Sequence, residues 1–252
     1  MTGIALVTGG QQGIGLGVSR ALIAAGYKVA LASRSGPEKS AVQAALDELG
    51  PNAIYVQHDV SDIDHVPALL HQVEANLGPI TTLVNNAGVG APVRGDMLEL
   101  KPENWDFVQN INLRGAFFLA QEVARRMLEQ PDDAYRSIIF VTSVSATMVS
   151  IERAEYCVSK AAAAMMTQLF SVRMAPHGIG VFELRPGIIA TEMTAGVRDK
   201  YTDRIEGGLV PAARWGEPED IGSVVVPLVQ GHMHFATGAA IPVDGGLSIS
   251  RL

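Results

Sequence analysis

Ile4-Ala5-Leu6-Val7-Thr8-Gly9-Gly10-Gln11-Gln12-Gly13-Ile14-Gly15, followed by Leu16 to Ala25 with apolar residues at helical spacing, decides the fold. The short apolar run suits a strand buried on both faces, and the glycines turn it into a helix. Strand, glycine turn and helix in this order let backbone N–H groups and a helix N-terminus approach a pyrophosphate without Cβ clashes. An ordinary tight turn would use the same glycines. Their place at the head of an alternating strand and helix chain favours the nucleotide reading.

Outward from that turn, Lys28 to Ser33 reads as the second strand. A dinucleotide fold that binds NAD places an acidic residue roughly 20 positions past the glycines, on the ribose 2′-hydroxyl. Here the sequence is Ser33-Arg34-Ser35. A hydroxyl and a guanidinium accept a 2′-phosphate through charge-assisted hydrogen bonds, so NADP is expected to be preferred, with NAD as the alternative. Glu38 to Leu49 reads as a helix and Ala53 to Gln57 as a third strand, ending in His58-Asp59-Val60-Ser61-Asp62. Ser61 or Asp62 is expected to cap the next helix, which runs to about Leu77. Asp59 is a candidate acceptor for an adenine amino group, with a strand-end turn as its plain alternative. Thr82 to Val84 begins a fourth strand ending in Asn85-Asn86-Ala87-Gly88, where small residues let a nucleotide lie against the backbone. Regular alternation of strand and helix predicts an α/β fold, a doubly wound parallel sheet of about seven strands with helices on both faces.

Pro102 to Leu128 is expected to be one long helix with Phe107, Val108, Ile111, Leu119, Val123 and Met127 apolar and Asn112 inside it. A buried amide must be bonded, either locally or in a site. Ser137 to Val141, a fifth strand, delivers Ser143 at its C-terminal end, where ligands bind in open α/β sheets. In a helix from Glu155 to Met174, Tyr156 and Lys160 lie four residues apart and share a face. The ammonium is expected to favour the phenolate, whose ordinary pKa of about 10 would otherwise keep it out of proton exchange near neutrality. Gly180 to Leu184 is a further strand. The segment 189–214, irregular in pattern, reads as a lid over a pocket. Pro218 suits the first turn of a helix through Val229, and Pro242 marks Ala239 to Val243 as an edge strand.

The chain has 252 residues, 48% hydrophobic and 18% charged, with 26 glycines, which fits one compact domain over 1–252 and excludes disorder. A net charge of −7 with no basic run argues against nucleic acid or an anionic membrane as partner. A single cysteine, no signal-peptide pattern and no apolar run near the roughly 20 residues of a membrane helix predict a cytoplasmic protein. Cys157 is read as a packing residue. The six histidines show no ligand set, and no metal is expected. Glu152, Arg94 and Met193 are candidate pocket residues, with surface or packing roles equally open.

The set Thr8-Gly9-xxx-Gly13-x-Gly15, Asp59, Asn85-Asn86-Ala87-Gly88, Asn112, Ser143, Tyr156-xxx-Lys160, Pro186-Gly187 and Asp244-Gly245-Gly246 resembles the short-chain dehydrogenase/reductase family over essentially the whole chain. Arg214-Trp215-Gly216-Glu217-Pro218-Glu219 is similar to the branch of 3-oxoacyl-acyl-carrier-protein reductases, which polyol and sugar dehydrogenases also resemble. The resemblance implies a single-domain Rossmann fold, a homotetramer, and a tetrad of Asn112, Ser143, Tyr156 and Lys160, with Asn112 linked through water to Lys160. Cofactor contacts are expected from Gly9, Gln12, Gly13, Ile14, Gly15, Ser33, Arg34, Asp59, Val60, Asn86, Ala87, Gly88, Tyr156, Lys160, Pro186, Gly187, Ile189 and Thr191. Members of this branch that use NADP often have a basic residue where Gln12 stands, so Arg34 alone carries the NADP reading. The implied reaction is hydride transfer between NADP(H) and a carbonyl or secondary alcohol, such as a 3-oxoacyl thioester. The alternatives are an NAD-dependent sugar or polyol dehydrogenase and a non-catalytic nucleotide-binding regulator.

Overall fold

A computed structural model describes residues 3–131 and 134–251. Among them, seven parallel strands form one sheet in the order β3-β2-β1-β4-β5-β6-β7. The strands are β1 (Ile4–Thr8), β2 (Lys28–Ser33), β3 (Ala53–Gln57), β4 (Thr82–Asn85), β5 (Ser137–Val141), β6 (Gly180–Pro186) and β7 (Ala240–Val243). Helices α1 (Gly13–Ala24), α2 (Ser40–Leu49) and α9 (Pro218–Val229) cover one face; α3 (Val66–Leu77), α5 (Ala116–Glu129) and α6 (Ala154–Met174) cover the other. Strand β1 shows why its apolar run is continuous: Ile4 and Leu6 enter one core, Ala5 and Val7 the other. β7, with Pro242, lies at the edge, where a missing N–H costs least.

Helices α1 and α9 approach closely because Gly17 and Gly222 face each other's backbone. A Cβ at Gly17 would lie 2.6 Å from the Pro218 carbonyl, and one at Gly222 would lie 2.7 Å from the Gly17 oxygen. In parallel sheets of this kind the strand order reverses beside β1, between β1 and β4, and a crevice opens at the strands' C-terminal ends.

Four expectations need correction. The segment Pro102 to Leu128 is not one regular helix: α4 (Pro102–Gln109) and α5 are joined by six residues of π-helix, Asn110–Gly115. The extra residue turns Asn112 inward, and Gly115 packs where a Cβ would strike the Val60 carbonyl. Phe107 does not face the core and is 40% exposed. Neither Ser61 nor Asp62 caps α3: Asp59 accepts from the Ser61 N–H and hydroxyl at 2.9 and 2.7 Å, and Asp62 pairs with His65 at 2.7 Å. The segment 189–214 is not irregular throughout but carries α7 (Glu192–Ala195), capped by Thr191, and α8 (Arg198–Glu206).

Candidate active site

The C-terminal ends of β1, β2, β4 and β5 open on a cleft of about 590 Å³. It is lined by Gly9, Gln12, Gly13 and Ile14 from the first turn, by Ser33 and Arg34 after β2, and by Asp59 and Val60 after β3. Asn86, Ala87 and Gly88 line it after β4, Tyr156 and Lys160 from α6, and Thr191 at the start of α7. Four expected contacts lie outside the lining. Gly15 sits behind the turn, where a Cβ would collide with the Gly9 carbonyl. Pro186 is paired with Val243, Gly187 abuts Asp244, and buried Ile189 packs in the core and bridges to Gly216. Gln11, His58, Thr142 and Glu192 line the cleft without having been expected there. Each is one position from an expected residue, so the neighbouring motif was the only signal.

The turn fits a dinucleotide. Gly9 and Gly13 have φ of +66° and +51°, which side chains rarely tolerate, so backbone rather than Cβ faces the cleft. Gln11 Oε1 and His58 Nε2 are buried without a protein partner. Burial also pushes the His58 imidazole below its usual range, so it stays neutral there. Unmet polar atoms in a cleft point to a ligand that meets them.

Around Tyr156 the geometry is tight. Asn112 donates from Nδ2 to the Val89 carbonyl at 2.9 Å and to Ser159 Oγ at 3.1 Å, and its Oδ1 accepts from Val89 N–H at 2.8 Å. Gly88 lies between Asn112 and Lys160: a Cβ there would meet Asn112 Oδ1 at 3.1 Å and Lys160 Nζ at 3.5 Å. Ser143, at the exit of β5, accepts from Ser145 N–H at 3.0 Å, and its side chain acts on the Tyr156 phenol. Lys160 Nζ donates to the Val141 carbonyl at 3.1 Å. Burial lowers the Lys160 pKa to about 8, against the pull of the Glu183 carboxylate. Glu183 is itself held by the Thr142 hydroxyl at 2.6 Å and by two bonds from Arg185 at 2.7 and 2.9 Å.

The expected lowering of the Tyr156 pKa is overturned. Burial holds the phenol above its ordinary value, outweighing the lowering influence of Ser143 and the charges of Arg153 and Arg94. Sharing a helical face with Lys160 does not offset that burial: Nζ lies 5.7 Å from the centre of the Tyr156 ring and donates its hydrogen bond to the Val141 carbonyl. Cys157 is half-buried, with Sγ 3.8 Å from the Ser150 carbonyl oxygen. Met193 lines the cleft, whereas Arg94 and Glu152 are exposed and outside its lining, and Gly95 N–H reaches the Glu152 carbonyl.

At the β2 end, Tyr55 Oη stands 2.7 Å from Ser33 Oγ, 2.9 Å from the Ser33 carbonyl and 2.5 Å from the Ser35 carbonyl. The carbonyls only accept, so the single phenol hydrogen goes to one of them and the Ser33 hydroxyl donates to Tyr55. Ser33 therefore presents lone pairs, not a hydrogen, to the cleft. The exposed Arg34 guanidinium has no ion-pair partner among the described residues. No three His, Cys, Asp or Glu side chains cluster as a metal site among those residues, and no helix there is long and apolar enough to cross a membrane.

Comparison with known proteins matches the family model described as enoyl-(acyl carrier protein) reductase over residues 9–248. A 3-oxoacyl-[acyl-carrier protein] reductase from Brucella melitensis, solved in complex with NAD, superposes with a TM-score of 0.96 at 47% identity, covering 100% of this chain and 99% of that one. Acetoacetyl-CoA reductase of Shinella zoogloeoides is 36% identical over 246 residues, 98% of each chain. The 2-dehydro-3-deoxy-D-gluconate 5-dehydrogenase of Dickeya dadantii is 32% identical over 244 residues, 96% of this chain and 94% of the other. With its seven-stranded parallel sheet and glycine turn, the chain belongs to the short-chain dehydrogenase/reductase family and is an NAD(P)-dependent oxidoreductase.

Proposed function

We propose that this oxidoreductase works as a reductase of a 3-oxoacyl-type carbonyl substrate, with NADPH as the preferred cofactor and Asn112, Ser143, Tyr156 and Lys160 as its working residues. The observation that carries the reading is the buried Tyr156 phenol in the cleft, with Ser143 acting on it from the exit of β5 and Lys160 one turn along the same helix. A phenol that keeps its proton at neutral pH is a general acid, the role reduction of a carbonyl requires.

Gly9 and Gly13 supply the backbone for the pyrophosphate, and Gln11 and His58 supply unmet polar atoms nearby. The nicotinamide, when bound, gives or takes the hydride. Ser143 positions the substrate oxygen and stabilises the charge that develops there. Tyr156 delivers its hydroxyl proton to that oxygen. Lys160, fixed on Val141, holds positive charge beside the phenol, and Asn112 keeps the 89–90 backbone in place while opening a water-borne proton route past Gly88. Arg34, unpaired and at the adenosine end of the cleft, is the group to receive a 2′-phosphate. Ser33 does not share that task, because its hydrogen is given to Tyr55.

A second reading has a specific observation behind it. The lone pairs of Ser33 suit a ribose 2′-hydroxyl, which favours NAD and an NAD-linked sugar or polyol dehydrogenase; the Dickeya relative is named as a dehydrogenase of a sugar acid. The intact Ser143, Tyr156 and Lys160 group counts against a non-catalytic regulator. Self-association, to a homotetramer, is supported by Phe118, Met165, Leu169 and Val172, all exposed along α5 and α6. A cytoplasmic site of action fits the lone, half-buried thiol. Absorbance of the reduced nicotinamide, followed with both cofactors against 3-oxoacyl thioesters, ketones and sugar acids, tests the reading. Faster consumption of NADPH than NADH with a 3-oxo substrate is expected; turnover of sugar acids with NAD alone would select the second reading.

A further inference from the structure

We infer that the substrate carries a carboxylate one or two carbons from its reacting carbonyl, and that Arg153, with Arg94, receives it. The inference rests on the reading of Ser143 and Tyr156 as the pair that holds the reacting oxygen; within the oxo substrates of that reading it selects the free acid over the thioester.

Arg153 stands just before α6, three residues ahead of Tyr156, and its guanidinium carbon lies 5.3 Å from the centre of the Tyr156 ring. Its side chain is tethered on the side of Ser143: Nε donates to Ser150 Oγ at 3.4 Å and one Nη to Ser145 Oγ at 3.3 Å, and Ser145 N–H in turn bonds Ser143. Both serine bonds are long and go to neutral oxygens. A guanidinium has five N–H donors, so most of its capacity is unspent.

Neither Arg153 nor Arg94 is paired with a carboxylate among the described residues, although the chain carries a net charge of −7. Three acids lie close by in the sequence without an ion-pair contact to either arginine: Glu152 is exposed, Glu155 is buried with Oε1 unpartnered while Gln109 bonds its backbone carbonyl, and Asp96 accepts from Leu98 N–H. Arg94 adds to the same field: its charge and that of Arg153 both act on the Tyr156 phenol. Gly95 N–H, bonded to the Glu152 carbonyl, ties the Arg94 loop to the segment that carries Arg153.

A half-buried, tethered guanidinium beside a hydrogen-bonding pair for a carbonyl is the arrangement that recognises an oxo acid by a charge-assisted, bidentate contact. A thioester, neutral next to its ketone, leaves that arginine unmatched. The alternative is that Arg153 only adjusts Tyr156 and takes no part in choosing a substrate.

The holoenzyme separates these by paired substrates: acetoacetate against acetoacetamide, and 2-oxobutanoate against its amide. The ratio of kcat/KM, acid over amide, is expected to exceed tenfold in at least one pair and to fall roughly 10- to 100-fold in Arg153→Gln, the value of a charge-assisted bond. Arg153→Lys should recover part of it. A ratio near one in the unmodified protein overturns the inference, as does a variant that slows acid and amide equally. Should no ketone turn over, calorimetry with cofactor present compares 3-hydroxybutanoate with its amide. Tighter binding of the acid, lost in Arg153→Gln, upholds the inference while the reaction assigned to the site fails; equal binding overturns it.

Discussion

Lys160 Nζ stands 5.7 Å from the centre of the Tyr156 ring and donates instead to the Val141 carbonyl. Only 7% exposed, Lys160 has lost most of its hydration for one neutral acceptor and a carboxylate beyond it. The residue therefore lines the candidate site at a cost to the fold.

That cost is measurable. The unfolded chain keeps the lysine proton up to the ordinary 10.5, whereas the folded protein releases it near 8. The penalty is thus full below pH 8 and fades between 8 and 10.5; its size is on the order of 3 kcal/mol. Lys160→Met, without cofactor, should be more stable than the unmodified protein in urea at pH 7, with an advantage that shrinks toward pH 10. A variant less stable at pH 7 would show that the ammonium is better solvated than its burial implies.

Tyr156→Phe should lose turnover by roughly 10²-fold or more while still quenching on cofactor addition, since the ring stays and only the proton donor goes. In the intact protein the phenol remains protonated past neutrality, so reduction should not decline through pH 7. Its decline is expected near pH 8, where Lys160 loses its charge. A decline centred below pH 7 would contradict the raised phenol.

The strands were legible in the sequence because a sheet covered on both faces needs continuous apolar runs. Lys28–Ser33, Ala53–Gln57 and Ser137–Val141 are found with the bounds their composition sets. The candidate residues that line the cleft were legible where a strand end or a helical spacing delivers them. What stayed hidden depends on contacts between distant segments. The π turn at Asn112 answers Val89 and Val60, and the raised phenol is a matter of burial that i, i+4 spacing does not report.

Tyr55 shows the same lesson at the cofactor end. Tyr55→Phe frees the Ser33 hydroxyl hydrogen to turn toward the cleft, so the ratio of kcat/KM for NADPH over NADH should rise a few-fold. Arg34→Gln should lower that ratio by about tenfold or more, and Ser33→Asp should lower it further by placing a carboxylate against the 2′-phosphate. Steady-state rates with both cofactors decide this. An Arg34→Gln ratio equal to that of the unmodified protein would remove the NADP preference.

The contact of α1 with α9 offers a test of packing that is independent of the chemistry. At Gly17 and Gly222 an added methyl meets backbone, the Pro218 carbonyl in one case and the Gly17 oxygen in the other, and backbone cannot rotate aside. Gly17→Ala and Gly222→Ala should each destabilise by about 1–3 kcal/mol in urea melts. Their effects should fall short of adding in the double variant, because the first methyl already parts the two helices. Weaker cofactor binding should accompany the loss, since α1 carries Gly13 and Ile14 into the cleft. Gly196→Ala is the control: φ there is −67° and nothing lies within 4 Å of an added Cβ, so stability should hold or rise slightly as the unfolded chain loses freedom. If Gly17→Ala melts like Gly196→Ala, the two helices are not held at glycine distance.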